Sequence, residues 1–299
     1  MDDERRTFSA SRADSDKTYH GTRSIASKRM SLDKGRTHSP ADNGVIQVGQ
    51  DGIEVALVQD FQDADLDEIG RWAQSASAGA PEAIRARENP AEYLEGGLAQ
   101  QSLEDIRISF AVRGVSRVLT HQLVRTRQAA FKQQSQRDCY MGEHPEFRMP
   151  ESVWTDPICR NDFINALRAA HYAYNTAIDR DVPYEDARYI LPEGTTNFIL
   201  CEYSIRTFLE TYAYRACIMF QDEYVWVMRA MKELLINKHP YLEKHIKISC
   251  EKVHKCTYQG RERIEEQCDF PWAQEDNRLF KPFRYLGDDE ENGKEANPT

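Results

Sequence analysis

The sequence predicts a mixed fold in which strands come first and long helices follow. Two apolar runs, Val-Ile-Gln-Val and Ile-Glu-Val-Ala-Leu-Val, lie between Val45 and Phe61 and are separated by Gly-Gln-Asp-Gly, the pattern of a hairpin or strand pair. Ile106 to Val112 alternates apolar and polar residues as a half-buried strand does. Asn161 to Asp179 has the period of an amphipathic helix. Phe198, Cys201, Ile205, Phe208, Tyr212, Ala216 and Met219 also fall at helical spacing, which predicts one long core helix from about Asn197 to about Leu235.

The other elements follow from local composition. Residues 1–44 are rich in Ser, Thr, Arg and Asp and nearly lack large apolar side chains, so they read as a disordered tail. Asp63 to Ala76 reads as a short helix, Gly79-Ala-Pro as a break and Pro90 to Leu98 as a further helix. Beyond Asp181-Val-Pro another helix starts near Tyr184. One domain is expected over residues 45–285, followed by an acidic tail at 286–299.

Composition limits the function classes. The chain has 299 residues, 40% of them hydrophobic, enough for a sizeable core. Its seven cysteines are an odd number spread over a long chain, which argues against a disulfide framework and for a reducing cytoplasm. No apolar run reaches the roughly 18 residues of a membrane span. Arg5-Arg6-Thr7-Phe8 lacks the apolar stretch that an export signal needs after it. Cys250, His254, Cys256 and Cys268 can be drawn as a zinc set, but their spacing fits no common pattern.

The candidate site centres on Gly114 to Arg137. From Ile106 to Arg137 there is no carboxylate, while Arg107, Arg113, Arg117, Arg125, Arg127, Lys132 and Arg137 supply positive charge, in a chain of net charge −10. Such a reversal suits an anionic ligand. Val115, Val118, Leu119 and Leu123 form one apolar helical face, with Arg117, His121 and Arg125 stepping by four along another. Phe131 to Arg137 reads as a polar loop whose amides, hydroxyl and guanidinium suit a phosphate. A nucleic-acid partner fits poorly, because the pI is about 5.4 and no aromatic residues interleave with the arginines.

This run resembles the signature of the flavin-dependent thymidylate synthases (ThyX): Arg125-Thr126-Arg127, seven residues, then Ser135, with His121-Gln-Leu-Val-Arg before it and Gln133-Gln-Ser-Gln-Arg around it. Val182 to Arg229 is similar to the second half of that domain, and its register carries over Arg188, Arg206, Arg215, Gln221 and Glu223. The resemblance implies an α+β subunit with a mixed or antiparallel sheet and long helices. It further implies a homotetramer with sites between protomers, and the conversion of dUMP to dTMP with FAD, NADPH and methylenetetrahydrofolate. In such enzymes no protein nucleophile attacks the pyrimidine, so the protein binds, orients and polarises.

By the same resemblance, Gln122, Ser135, Arg137 and Arg188 would hold the nucleotide phosphate, and Arg215 would face the uracil O2/N3 edge as the catalytic group. Arg125, Thr126, Arg127, Gln133, Ser204 and Arg206 would hold the cofactor. Cys139, Cys201 and Cys217 read as inert. The chain departs from the family at Thr126, where histidine is usual, and at Met219, Ser204, Asp138 and Leu98 to Asp105. Most of these losses fall on the flavin side, so weaker FAD binding is expected. Two alternatives are a C5 methylase of another pyrimidine nucleotide, such as UMP in nucleoside-antibiotic assembly, and a nucleotide-binding homologue without turnover.

Overall fold

The described strands form one antiparallel five-stranded sheet. In this computed structural model the described residues are 45–48, 53–78, 94, 103–142, 146–258 and 261–271. Both expected tails lie outside them, as does the expected helix at Pro90 to Leu98 apart from Leu94.

The expected hairpin is present as β1 (Val45–Val48) and β2 (Ile53–Gln59). It leads into α1 (Asp63–Ala78), whose first turn carries Asp63 and Asp65, favourable at a helix N-terminus. Strand β3 (Arg107–Ser116) lies between β2 and β5 (Thr196–Ser204), and β4 (Ala130–Gln133) pairs with the far side of β5. The α+β class with an antiparallel sheet is as expected.

Three expected elements differ from those observed. The signature run is a strand as far as Ser116, and its helix α2 spans only Arg117–Leu123, so Arg125 lies beyond the helix rather than in step with Arg117 and His121. The reason is Gly114. Its φ of 72° sits at a register shift between Arg113 and Val115, a β-bulge of the kind glycine permits. Beyond the bulge Ser116 caps α2, its Oγ accepting from Leu119 N at 3.1 Å.

The start of the polar loop is edge strand β4, whose Phe131 packs edge-on against Tyr203. The long helix expected from Asn197 is instead β5, α6 (Ile205–Arg215) and α7 (Asp222–Lys238). Here Asn197, Ile199, Cys201 and Tyr203 are buried while Phe198 is 40% exposed, the alternation of a strand. Phe198, Cys201 and Ile205 matched helical spacing only by coincidence. Ser204 then caps α6, accepting from Thr207 N at 3.0 Å.

Short α3 (Glu151–Thr155) precedes α4 (Pro157–Ile178), which begins four residues before the expected Asn161. Asp156 accepts from Ile158 N and Cys159 N there and Pro157 starts the first turn. Helix α5 (Tyr184–Ala187) continues into a 3₁₀ turn at Arg188–Ile190. Helix α7 packs across β1, β2 and β3, and Phe110, Phe208, Tyr203, Tyr224 and Met231 lie in the core between sheet and helices. Short helices α8 (Ser249–Val253) and α9 (Glu262–Gln267) follow. No described helix is long and apolar enough to cross a membrane.

The end of α7 is tied to the β2–α1 junction by a polar cluster around buried His239. His239 stacks on Phe61 with ring centres 4.1 Å apart, and its Nε2 lies 3.0 Å from Asp60 and its Nδ1 3.3 Å from Asp63. Burial works to raise the Asp60 pKa, but the His239 hydrogen bond and charge, the Phe61 N–H and Lys238 together hold it below its ordinary 3.8. A depressed carboxyl pKa contributes stability above the ordinary value and loses it as pH falls through the lowered one. Asp60→Asn is therefore expected to cost about 1.5 kcal/mol near neutral pH, the scale of a hydrogen bond to a charged group. The gap to wild type should close in acid, as read from urea unfolding at a series of pH values. A pH-independent gap would contradict this.

Candidate functional site

The sheet and the α2 junction place the candidate residues in four groups. The first holds Arg137 and Arg188, which both meet Glu185, and Ser135, which meets Asp138. Arg137 Nε lies 2.8 Å from Glu185 Oε2, and Arg188 Nε donates to the Glu185 carbonyl at 3.2 Å. Glu185 is in place because Pro183 starts the short α5 helix and Arg188 follows one turn later. The Ser135 hydroxyl donates to Asp138 Oδ2 at 2.7 Å and accepts from Arg137 N at 3.2 Å. Arg137 and Ser135 thus each meet an exposed carboxylate, Glu185 and Asp138, while Arg188 meets only the Glu185 carbonyl.

In the second group the Gln122 side chain donates to Gln221, which precedes α7, rather than joining Ser135. Gln133 Nε2 donates to Thr120 Oγ1 at 2.9 Å and lies 3.4 Å from Asn197 Oδ1. It therefore links β4 to α2 and β5. Beside this group Glu223, in the first turn of α7, accepts from Ser116 N at 2.7 Å and from Ser116 Oγ at 2.5 Å. Burial pushes the Glu223 carboxyl pKa up, partly offset by those two bonds and the charge of Arg148. Glu223 locks the β3–α2 corner to α7.

The third group holds the flavin-side candidates. Arg125 and Arg127 are exposed and, among the described residues, neither guanidinium has an ion-pair partner. By contrast Arg113 pairs with Glu54 at 3.8 Å and Arg137 with Glu185. Two unpaired guanidiniums on one short turn fit a pyrophosphate, so the donor set suits FAD. Ser204 and Arg206 do not join them. Ser204 is fully buried as the α6 cap and donates to Glu104 Oε2 at 2.8 Å, while Arg206 pairs with Glu210 at 3.1 Å and Glu104 at 3.5 Å.

The fourth group surrounds Arg215 at the end of α6. Its guanidinium carbon lies 4.9 Å from the centre of the Phe220 ring and 5.3 Å from that of Tyr224. Thr126 is half-buried with its side chain beside the Tyr224 phenol, away from its exposed neighbours Arg125 and Arg127. Among the contacts of the described residues none joins Arg215 to the Ser135 group. The partners Glu185, Phe220 and Tyr224 were not anticipated from the sequence. Glu185 had a signal, its three-residue spacing from Arg188, while the aromatic pair had none.

Among the described residues no group of three or more His, Cys, Asp or Glu side chains could hold a metal ion. Burial pushes the Cys201 thiol up to about 12, in keeping with an inert core residue.

The profile of the family described as "Thymidylate synthase complementing protein" matches residues 68–241. The chain belongs to that family. It is 30% identical over 179 residues to the flavin-dependent thymidylate synthase of Nitratidesulfovibrio vulgaris, a match covering 56% of this chain and 70% of that one. It is 35% identical over 133 residues to that of Geobacter sulfurreducens, covering 44% of this chain and 56% of the relative. A crystal structure of the UMP/dUMP methylase PolB from Streptomyces cacaoi, bound with 5-Br dUMP, shares the fold. Its TM-score is 0.53 at 18% identity, over 64% of this chain and 95% of that one.

Proposed function

We propose that the protein methylates C5 of a uridine monophosphate, dUMP to dTMP, with FAD bound, methylenetetrahydrofolate as carbon donor and NADPH as reductant. The observation that carries this is the Arg137–Glu185 ion pair, which joins the Ser135-Gln-Arg137 segment to the turn that carries Arg188, about fifty residues further on. A phosphate dianion would displace Glu185 from Arg137 and Asp138 from Ser135. Both carboxylates are exposed, so the exchange costs little beyond the repulsion that Asp138 leaves beside the ligand. The bound flavin would supply the hydride chemistry, and Arg125 and Arg127 would hold its pyrophosphate. Arg215 would hold the O2/N3 edge of the uracil and stabilise the negative charge that develops there once the ring is reduced.

A cleft of about 90 Å³ lies between the α2 and α7 N-termini, lined by Ser116, Arg148, Gln221 and Trp226. That is well below the roughly 300 Å³ of a pocket that encloses a small-molecule ligand. None of Ser135, Arg137, Arg188 and Arg215 lines it, and a homotetramer with sites shared between protomers is the assembly proposed. A monodisperse monomer that binds nucleotide tightly by light scattering and calorimetry would overturn the shared site.

UMP is the second reading. The PolB neighbour is described as acting on both UMP and dUMP, and Thr126, Asp138 and Met219 depart from the thymidylate synthase pattern. The test is the visible spectrum of the FAD-reconstituted protein before and after each nucleotide. The expected result is a flavin band that shifts with at least one of them. A flavin that does not bind, or a band that neither nucleotide moves, would overturn the function.

A further inference from the structure

We infer that Phe220 and Tyr224 form an aromatic clamp that positions the guanidinium of Arg215 for the pyrimidine base; this rests on the reading of Arg215 as the base-contacting group. The guanidinium carbon lies 4.9 Å from one ring centre and 5.3 Å from the other. Among the described residues no carboxylate pairs with Arg215. Arg137 and Arg206, in contrast, are each held by a glutamate. The difference matters chemically. A carboxylate holds a guanidinium by using its N–H groups, whereas an aromatic ring holds it by its face and leaves the N–H donors free for a planar acceptor edge.

The clamp is itself braced. Phe220 meets Tyr258 edge-on at 6.3 Å, and the Ala216 carbonyl accepts from Arg229 Nε at 3.3 Å and from its Nη2 at 3.2 Å. Gln221, next to Phe220, receives the Gln122 amide, so both ends of the 216–221 turn are anchored. Tyr224 is fully buried. The Thr126 side chain lies alongside its hydroxyl but outside hydrogen-bonding geometry, and among the described residues the hydroxyl has no partner. The ring, rather than the hydroxyl, is what the site uses.

The test compares calorimetric binding of dUMP and of 2-deoxyribose 5-phosphate, which carries the phosphate but no base. Phe220→Leu is expected to weaken dUMP about fivefold, the scale of one lost cation–π contact, and to leave the sugar phosphate unchanged. Phe220→Tyr and Tyr224→Phe, which keep the rings, should match wild type. In an Arg215→Ala background Phe220→Leu should add nothing. Because Phe220 is half-buried, its variants carry the test even if larger changes at buried Tyr224 impair folding. Equal losses for both ligands, no loss for dUMP, or a loss that persists without Arg215 would each overturn the clamp. Wild type that binds the sugar phosphate as tightly as dUMP would remove the base contact and the clamp with it. Wild type that binds neither would remove the site reading itself.

Discussion

Arg188→Ala is expected to weaken dUMP or UMP binding by about 1.5 to 3 kcal/mol, the range for a hydrogen bond to a charged group and a factor of roughly 10 to 150 in affinity. The side chain is half-buried and touches the rest of the chain only through the Glu185 carbonyl among the contacts described, so the thermal midpoint should barely move. Arg206→Ala is the control. Arg206 already has Glu104 and Glu210 for partners, and its removal should leave nucleotide affinity unchanged. Calorimetric titration of both nucleotides checks the pair. Unchanged affinity in Arg188→Ala would remove this arginine from the phosphate site.

Glu223→Ala should produce the largest stability loss, about 2 to 4 kcal/mol, because it strips the partner from a buried backbone N–H and a buried hydroxyl at Ser116. Glu223→Gln should cost under about 1 kcal/mol, since the amide can accept from the N–H and donate to the hydroxyl oxygen. The pH dependence separates the two variants from wild type. Burial raises the Glu223 pKa, so the folded state holds its proton more tightly than the unfolded chain does. Stability is then highest below the ordinary carboxyl value of 4.5 and declines as pH rises through the raised one. Urea midpoints across that window should fall for wild type relative to Glu223→Gln. Parallel curves would contradict the buried-carboxylate account.

Much of the fold was legible because hydrophobic period and burial agree in the first half: the hairpin, α1 and β3 follow directly from their patterns. The second half misled because Phe198, Cys201, Ile205 and Phe208 satisfy a helical spacing, while Asn197, Ile199, Cys201 and Tyr203 satisfy a strand. Strand pairing with β3 decides between them, and a one-dimensional pattern does not contain that contact. In the signature run the bulge at Gly114 shifts the register of β3, which continues to Ser116, so the helix starts at Arg117 and Arg125 lies outside it.

The candidate site was legible where chemistry is local. Ser135 and Arg137 sit two residues apart, and Arg137 reaches Glu185, three residues before Arg188. What the register could not supply were the partners that decide each role. Glu185 meets Arg137 and Arg188, Glu104 occupies Ser204 and Arg206, and two aromatic rings hold Arg215. Those contacts join residues up to 100 positions apart, and their geometry depends on the folded sheet.

The proposed activity is tested most directly by incubating the FAD-reconstituted protein with dUMP, or separately UMP, together with methylenetetrahydrofolate and NADPH, and measuring the nucleotide by mass spectrometry. The account predicts a product one methyl group heavier from at least one nucleotide, lost in Arg215→Ala. Tight nucleotide binding with no methylated product from either substrate would contradict it and make the protein a nucleotide-binding homologue without turnover.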